Sequence, residues 1–185
     1  MKIFIALGNI GEEYKNTRHN AGTIILDGMV DSILWQENKY AHSYLASLSV
    51  GDHDVLFVKP ILFMNESGKV IPFLEKEFSL DVDDLVVIHD DIDLPLGSIK
   101  ISYDRGDGGH NGVKSIMQTL DSKQFTRIRI GVSIIDSEGI LRKPDVLGKF
   151  SKEEMGTLQL VTKDIVKICE SLVLFGLEKT MSKYN

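Results

Sequence analysis

Short apolar runs alternate along this chain with segments whose apolar residues recur every three or four positions, and that alternation restricts the fold more than any other feature. Lys2–Leu7 is an apolar run that meets Gly8-Asn9-Ile10-Gly11, the pattern of a buried strand ending in a turn. Ala21–Leu34 carries Ile24, Ile25, Met29, Val30, Ile33 and Leu34, a helical repeat with a wide apolar face. Tyr44–Val50 alternates and Val55–Val58 is rich in strand formers, with Gly51-Asp52 between them as a hairpin turn. Asn65 is placed to cap a helix running to about Phe78. Leu85–Ile88 suits a strand covered on both faces; Ile99–Tyr103 and Arg127–Ile135 read as further strands. Between those two, Asn111 is placed to cap a helix through Leu120. The polar, aperiodic stretch Asp136–Lys143 reads as a loop. Ser151-Lys152-Glu153-Glu154 then has the form of a capping box. Behind it Met155, Leu158, Val161, Ile165, Ile168, Leu172 and Phe175 make one core-facing stripe.

Strands alternating with helices predict an α/β fold, a single three-layer domain over residues 1–185 with a twisted mixed β-sheet flanked by helices. The hairpin is what makes the sheet mixed rather than purely parallel. A chain of 185 residues can bury its own core, and no linker, repeat or low-complexity tract divides it. The single cysteine, Cys169, cannot form an internal disulfide and reads as a small core residue in a reducing compartment. No run of 18 or more apolar residues suggests a transmembrane helix. The first apolar run meets Gly8 too soon for a signal peptide. The expectation is a soluble cytoplasmic protein that does not enter a membrane.

The net charge of -6 argues against a nucleic-acid partner only if it is evenly spread. Residues 1–96 hold 7 basic and 16 acidic side chains, whereas residues 97–152 hold 10 basic and 6 acidic. A basic middle segment on an acidic body fits either a solvated face or a phosphate-binding surface. The charge pattern alone leaves both open.

Four polar clusters fall where an α/β sheet presents ligands, after strands or before helices. They are Gly8–Gly11 with Thr17–Asn20, then Phe63–Gly68, then His89-Asp90-Asp91, then Gly106–Gly112. No HExxH or CxxC pattern and no helically spaced pair of histidines supports a metal site. The Gly106 loop breaks G-x-G-x-x-G at Asn111, and no G-x-x-x-x-G-K-[ST] exists. There is no G-x-S-x-G elbow, and Cys169 falls on the buried face of the last helix. Histidine acid–base chemistry supported by neutral amides remains. A histidine can take a proton from water while a carboxylate holds its tautomer, and Asn side chains can donate to an oxyanion without adding charge. That combination suits direct attack of water on an ester or amide.

The clusters, taken in order, resemble a known family. Thr17-Arg18-His19-Asn20-Ala21-Gly22, Phe63-Met64-Asn65-x-Ser67-Gly68, His89-Asp90-Asp91-x-Asp93-Leu94-Pro95 and Gly108-Gly109-His110-Asn111-Gly112 are similar to the successive motifs of bacterial-type peptidyl-tRNA hydrolases. Arg127-x-Arg129-Ile130-Gly131 and Val146-Leu147-Gly148-Lys149-Phe150 extend the match across about four-fifths of the chain. The resemblance implies one α/β domain that cleaves the ester joining a peptide to the 3′ terminal ribose of tRNA. It implies His19 as general base and Asp90 as the carboxylate that orients it. Asn9, Asn65 and Asn111 are implied to position substrate and stabilise the oxyanion. Tyr14, Met64 and His110 are implied on the substrate path, and Lys100, Lys114 and Arg129 near the acceptor-stem phosphates. It further implies no metal or organic cofactor, the acceptor end of peptidyl-tRNA as partner, and a monomer without an obligate protein partner.

Four residues depart from the family pattern. Ile10 stands where a proline is usual, Ala6 replaces a glycine, and Glu66 and Asp107 add negative charges beside Asn65 and in the Gly106 loop. Two alternatives therefore stay open: a tRNA-binding paralogue with impaired catalysis, and a hydrolase of the same mechanism acting on another N-acyl ester or amide.

Overall fold

A computed structural model describes the whole chain, Met1–Asn185. Eight strands form one mixed sheet: β1 (Lys2–Ala6), β2 (Gln36–Asn38), β3 (Ser43–Val50), β4 (His53–Pro60), β5 (Leu85–Pro95), β6 (Ile99–Tyr103), β7 (Thr126–Ile135) and β8 (Leu141–Arg142). The order is β2-β3-β4-β1-β5-β7-β6, with β8 paired to the end of β7. The centre, β4-β1-β5-β7, is parallel, while β2-β3, β3-β4, β6-β7 and β7-β8 are antiparallel. The anticipated hairpin is present: Val50 pairs with His53 across Gly51-Asp52, and Gly51 takes the left-handed φ of 59° that glycine adopts without penalty.

Four helices cover the two faces: α1 (Ala21–Met29), α2 (Ile71–Phe78), α3 (Asn111–Leu120) and α4 (Lys152–Tyr184). Successive side chains of a strand point to opposite faces, and β1 and β5 divide accordingly. Phe4, Ala6, Val86 and Ile88 join one core with residues of α1 and α4, while Ile3, Ile5, Leu85 and Val87 join the other with α2 and α3. Near-continuous apolar runs are what central strands need when both faces are covered.

The helix boundaries correct the sequence expectations in four places. The first helix stops at Met29, not Leu34; Asp31 accepts the Ile33 N–H and starts a separate 3-10 turn, leaving Ile33 exposed. Short polar side chains compete in this way for backbone donors. Asn65 caps no α-helix, because Met64–Val70 is a 3-10 segment entered at Phe63, and α2 begins only at Ile71. Helix α3 does begin at Asn111, but its cap is the preceding His110. The stripe on α4 is buried from Leu158 to Leu172, yet Phe175 is exposed, beside Gly176 where the helix breaks with φ 80°. The capping box is as read: Ser151 Oγ accepts from Glu154 N–H, and Ser151 N–H donates to Glu154 Oε2 at 2.6 Å. Asp136–Lys143 forms a turn closed by β8, with Asp136 Oδ1 accepting from Glu138 and Ile140. No helix is long and apolar enough to cross a membrane.

Gly22, at the start of α1, seats that helix on the strand ends, since a Cβ there would lie 2.5 Å from Ile88 O and 2.9 Å from Leu7 O. Gly156 in α4 has open space around it. Gly22→Ala is expected to destabilise the protein by about 1–3 kcal/mol through overpacking. Gly156→Ala is expected to stabilise it by roughly 0.5–1 kcal/mol through helix propensity. Thermal and urea unfolding of the two variants checks the opposite signs; similar effects on both would contradict this packing.

Candidate active site

The carboxyl ends of the central strands meet three connecting segments, and the candidate residues collect there. Pairing of β1 with β5 ends at Ala6 and Ile88. Just beyond that point, His89 and Asp90 both line a cavity of about 670 Å³. The opposite wall is the Arg105–Asn111 loop, and β7 contributes Arg127 and Arg129. His19 enters from a 3-10 turn, Arg18–Asn20, placed immediately before α1.

That turn is held on every side. The backbone N–H groups of Arg18 and His19 donate to Gly148 O and Val146 O at 3.0 and 2.8 Å. The Arg18 guanidinium reaches Lys149 O at 2.7 Å and Glu154 Oε1 at 2.5 Å, and it lies over the Phe150 ring. Glu154 thus serves its own helix cap and the turn that carries His19. Sequence reasoning quoted Arg18 and Glu154 only as motif and cap. Their pairing across 136 positions has no local signal.

Asp90 is the centre of the polar network. His19 Nδ1 lies 2.9 Å from Asp90 Oδ1 and 3.1 Å from Oδ2, and His110 Nε2 lies 2.9 Å from the same Oδ1. Burial opposes the charge on Asp90, but His110 and His19 outweigh it and hold the carboxyl well below the usual carboxylate range. An ionised carboxylate only accepts, so each imidazole presents an N–H to it. His19 Nε2 is then the unprotonated nitrogen; it has no protein partner and is not sealed from solvent. Atoms of His19, Asp90 and His110 come within 4.8 Å of one another, but hydrogen bonding already takes one nitrogen of each ring.

The remaining sequence-predicted residues are distributed around this centre. Asn111 lines the same cavity. Asn9 does not; it lines a neighbouring cleft with Gly8, Ile10 and Asn20. Its Oδ1 accepts from Met64 N–H at 2.8 Å, which leaves its Nδ2 as the free donor. Asn20, to which sequence reasoning gave no role, clamps the Asn9 backbone: its Oδ1 accepts from Asn9 N–H and its Nδ2 donates to Asn9 O. Met64 is buried against Gly112, where an added Cβ would lie 2.4 Å from Met64 Sδ. Asn65 is exposed on the 3-10 segment, and Tyr14 packs edge-on against Phe63. Neither lines the cavity. Lys100 sits directly opposite Arg129 in the β6–β7 ladder, while Lys114 is exposed on α3. Arg129 Nε donates to Asp91 Oδ2 at 2.6 Å.

The departures from the family pattern are accommodated locally. Ile10 N–H donates to Leu62 O at 3.1 Å, a bond that proline could not make. Glu66 pairs with Lys69. Asp107 Oδ1 accepts from Gly109 N–H at 2.7 Å and shapes the loop. Ala6 is fully buried in the α1–α4 core.

A family model for peptidyl-tRNA hydrolase matches residues 3–185. The chain belongs to the peptidyl-tRNA hydrolase family. It is 37% identical over 188 residues to the peptidyl-tRNA hydrolase of Staphylococcus saprophyticus, covering 100% of this chain and 98% of that protein. It is 39% identical over 183 residues to the Thermotoga maritima enzyme, covering 99% and 96%. The crystal structure of peptidyl-tRNA hydrolase from Acinetobacter baumannii superimposes with a TM-score of 0.87 at 26% identity, covering 100% of this chain and 94% of that one. The protein is a hydrolase of peptidyl-tRNA, acting on the ester bond.

One buried group beside the cavity has a consequence for stability. His89 donates from Nδ1 to Asp90 O at 2.6 Å, and its Nε2 is buried without a partner. Burial pushes its pKa well below the ordinary value. The unfolded chain therefore takes up a proton below about pH 6.5 that the folded chain refuses, so stability falls as pH falls. Relative to His89→Gln, the wild type is expected to lose up to about 1.4 kcal/mol per pH unit between pH 6 and 5. Urea unfolding across this range measures the difference; parallel curves would contradict a buried neutral His89.

Proposed function

We propose that His19 activates the water that hydrolyses peptidyl-tRNA, with Asp90 fixing its tautomer. The reading rests on one observation: His19 gives Nδ1 to a buried carboxylate and keeps Nε2 free at the cavity. Water attacks the ester carbonyl while His19 Nε2 takes its proton, and Asp90 stabilises the imidazolium so formed. The carbonyl π electrons move to oxygen, giving a tetrahedral oxyanion. Asn111, at the cavity, and Asn9, through its free Nδ2, are the neutral donors assigned to that oxygen and to substrate positioning. Collapse of the intermediate breaks the bond to the ribose 3′ oxygen, which takes the proton from His19. Peptide acid and tRNA leave, and His19 is neutral again. The chemistry balances with peptidyl-tRNA and water as the only reactants.

Asn65, Tyr14, Met64 and His110 belong in this reading to the surroundings of the substrate. Met64 acts as a wall and through its N–H, which orients Asn9. Lys100, Lys114 and Arg129 are assigned to acceptor-stem phosphates. Lys100 and Lys114 have no ion-pair partner in the protein, whereas Arg129 would share its guanidinium with Asp91. We further assign the chain as one functional unit over residues 1–185, acting as a monomer in the cytoplasm.

His19→Ala is expected to lower hydrolysis of peptidyl-tRNA by about 10²–10⁴-fold while tRNA affinity is retained. Single-turnover release of labelled peptide, beside tRNA binding at several salt concentrations, provides the check. Lys100→Ala should weaken binding and reduce the salt slope by about one. A His19→Ala protein that is folded and hydrolyses at the wild-type rate would contradict the reading.

A further inference from the structure

We propose that His110 is a positioning residue: a neutral imidazole of fixed tautomer that ties Asp90 to the N-terminus of α3 and limits how strongly Asp90 acts on His19. The inference rests on the assignment of His19 as base and goes beyond placing His110 on the substrate path.

The geometry assigns both ring nitrogens. Nδ1 of His110 accepts from the backbone N–H of Gly112 at 3.2 Å and of Val113 at 3.3 Å, making the side chain the cap of α3. A nitrogen that accepts from two N–H groups carries no proton, so the proton is on Nε2. That Nε2–H donates to Asp90 Oδ1 at 2.9 Å. Charging His110 would place a new N–H against two backbone donors, so the ring stays neutral while the cap is intact. The ring is also confined: its centroid lies 4.7 Å from that of His19 and 4.7 Å from that of His89, and only 8% of the side chain is exposed.

Asp90 Oδ1 therefore has two donors, one from each histidine. A carboxylate that gives part of its accepting capacity to His110 exerts less field on His19. Loss of the His110 donor would concentrate the Asp90 charge on His19 and strengthen its hold on the imidazolium formed when water gives up its proton. Other charges around the trio are partnered or fixed. From β5, Asp91 pairs with Arg129 of β7, and His89 is buried. Arg127 donates to Gly106 O, and Asp107 closes its own loop. On the turn side, Arg18 is held by Glu154. Arg105, Asp93 and Asp104 also line the cavity, Asp93 paired with Lys143 and Asp104 with Lys123, and only the two imidazoles bond the Asp90 carboxylate.

Two variants separate the functions of the ring. An Asn side chain places an acceptor where Nδ1 was, so His110→Asn keeps the cap but is too short to reach Asp90. A Gln side chain places a donor where Nε2 was, so His110→Gln keeps the Asp90 bond but caps poorly. The experiment is the pH dependence of kcat/KM for peptidyl-tRNA, with the melting temperature of each protein. His110→Asn is expected to move the acid limb up by about half a pH unit or more, and to melt lower because the buried Asp90 carboxylate loses a donor. His110→Gln should keep the wild-type acid limb and melt lower. An unmoved limb in His110→Asn, or equal displacement in both variants, would overturn the inference. Failure of the His19 reading is recognisable separately: the wild-type acid limb would then survive in a still-active His19→Ala protein.

Discussion

A buried carboxylate is tolerable only when its charge is met by hydrogen-bond donors, and Asp90 obtains its donors from segments far apart in sequence. One comes from the turn before α1, the other from the residue that caps α3. The strand ends, the turn and the α3 cap must therefore all be in place before Asp90 can be buried and charged. Behind the turn, Arg18 reaches Glu154 at the head of the last helix. Formation of the site and completion of the fold are in this sense one event. Three histidines gather around Asp90 in different settings: burial holds His89 neutral, His110 is bonded through both ring nitrogens, and His19 keeps an unpartnered nitrogen that is not sealed from solvent.

Much of this was legible in sequence, and the remainder failed for identifiable reasons. Strands such as Leu85–Ile88 and the stripe from Leu158 to Leu172 were readable because periodicity reports directly which faces are covered. The helix starts were less secure. Asn65 and Asn111 have good capping side chains, but Asn65 lies within a 3-10 segment, and histidine took the cap that Asn111 was expected to supply. Phe175 continued a repeat that Gly176 interrupts in space. The polar motifs converge at one end of the sheet, beyond the carboxyl ends of its parallel strands, where ligand sites gather. What they could not convey was which bonds link them. Asn20 appeared only as a letter in a motif, yet its two bonds hold the Asn9 backbone in place.

The net charge illustrates the same difference between composition and placement. Bases and acids are interleaved at the cavity, where Arg105, Arg127 and Arg129 stand beside Asp90, Asp91, Asp93, Asp104 and Asp107, and Lys100 lies opposite Arg129 on the adjacent strand. The carboxylates near the candidate site are not all free to oppose a polyanion equally. Glu66 is paired with Lys69, Asp91 with Arg129, and Asp107 is turned into its loop.

The role proposed for Asp90 is to hold His19 in its basic tautomer, not to shape the fold alone. Asp90→Asn removes the charge with almost no change of volume, and its single-turnover rate with peptidyl-tRNA is the most direct measurement, made alongside tRNA binding and thermal melting. The account predicts a rate lower by about 10²–10⁴-fold in a folded protein that still binds tRNA. A folded Asp90→Asn enzyme working within a few-fold of the wild type would contradict it.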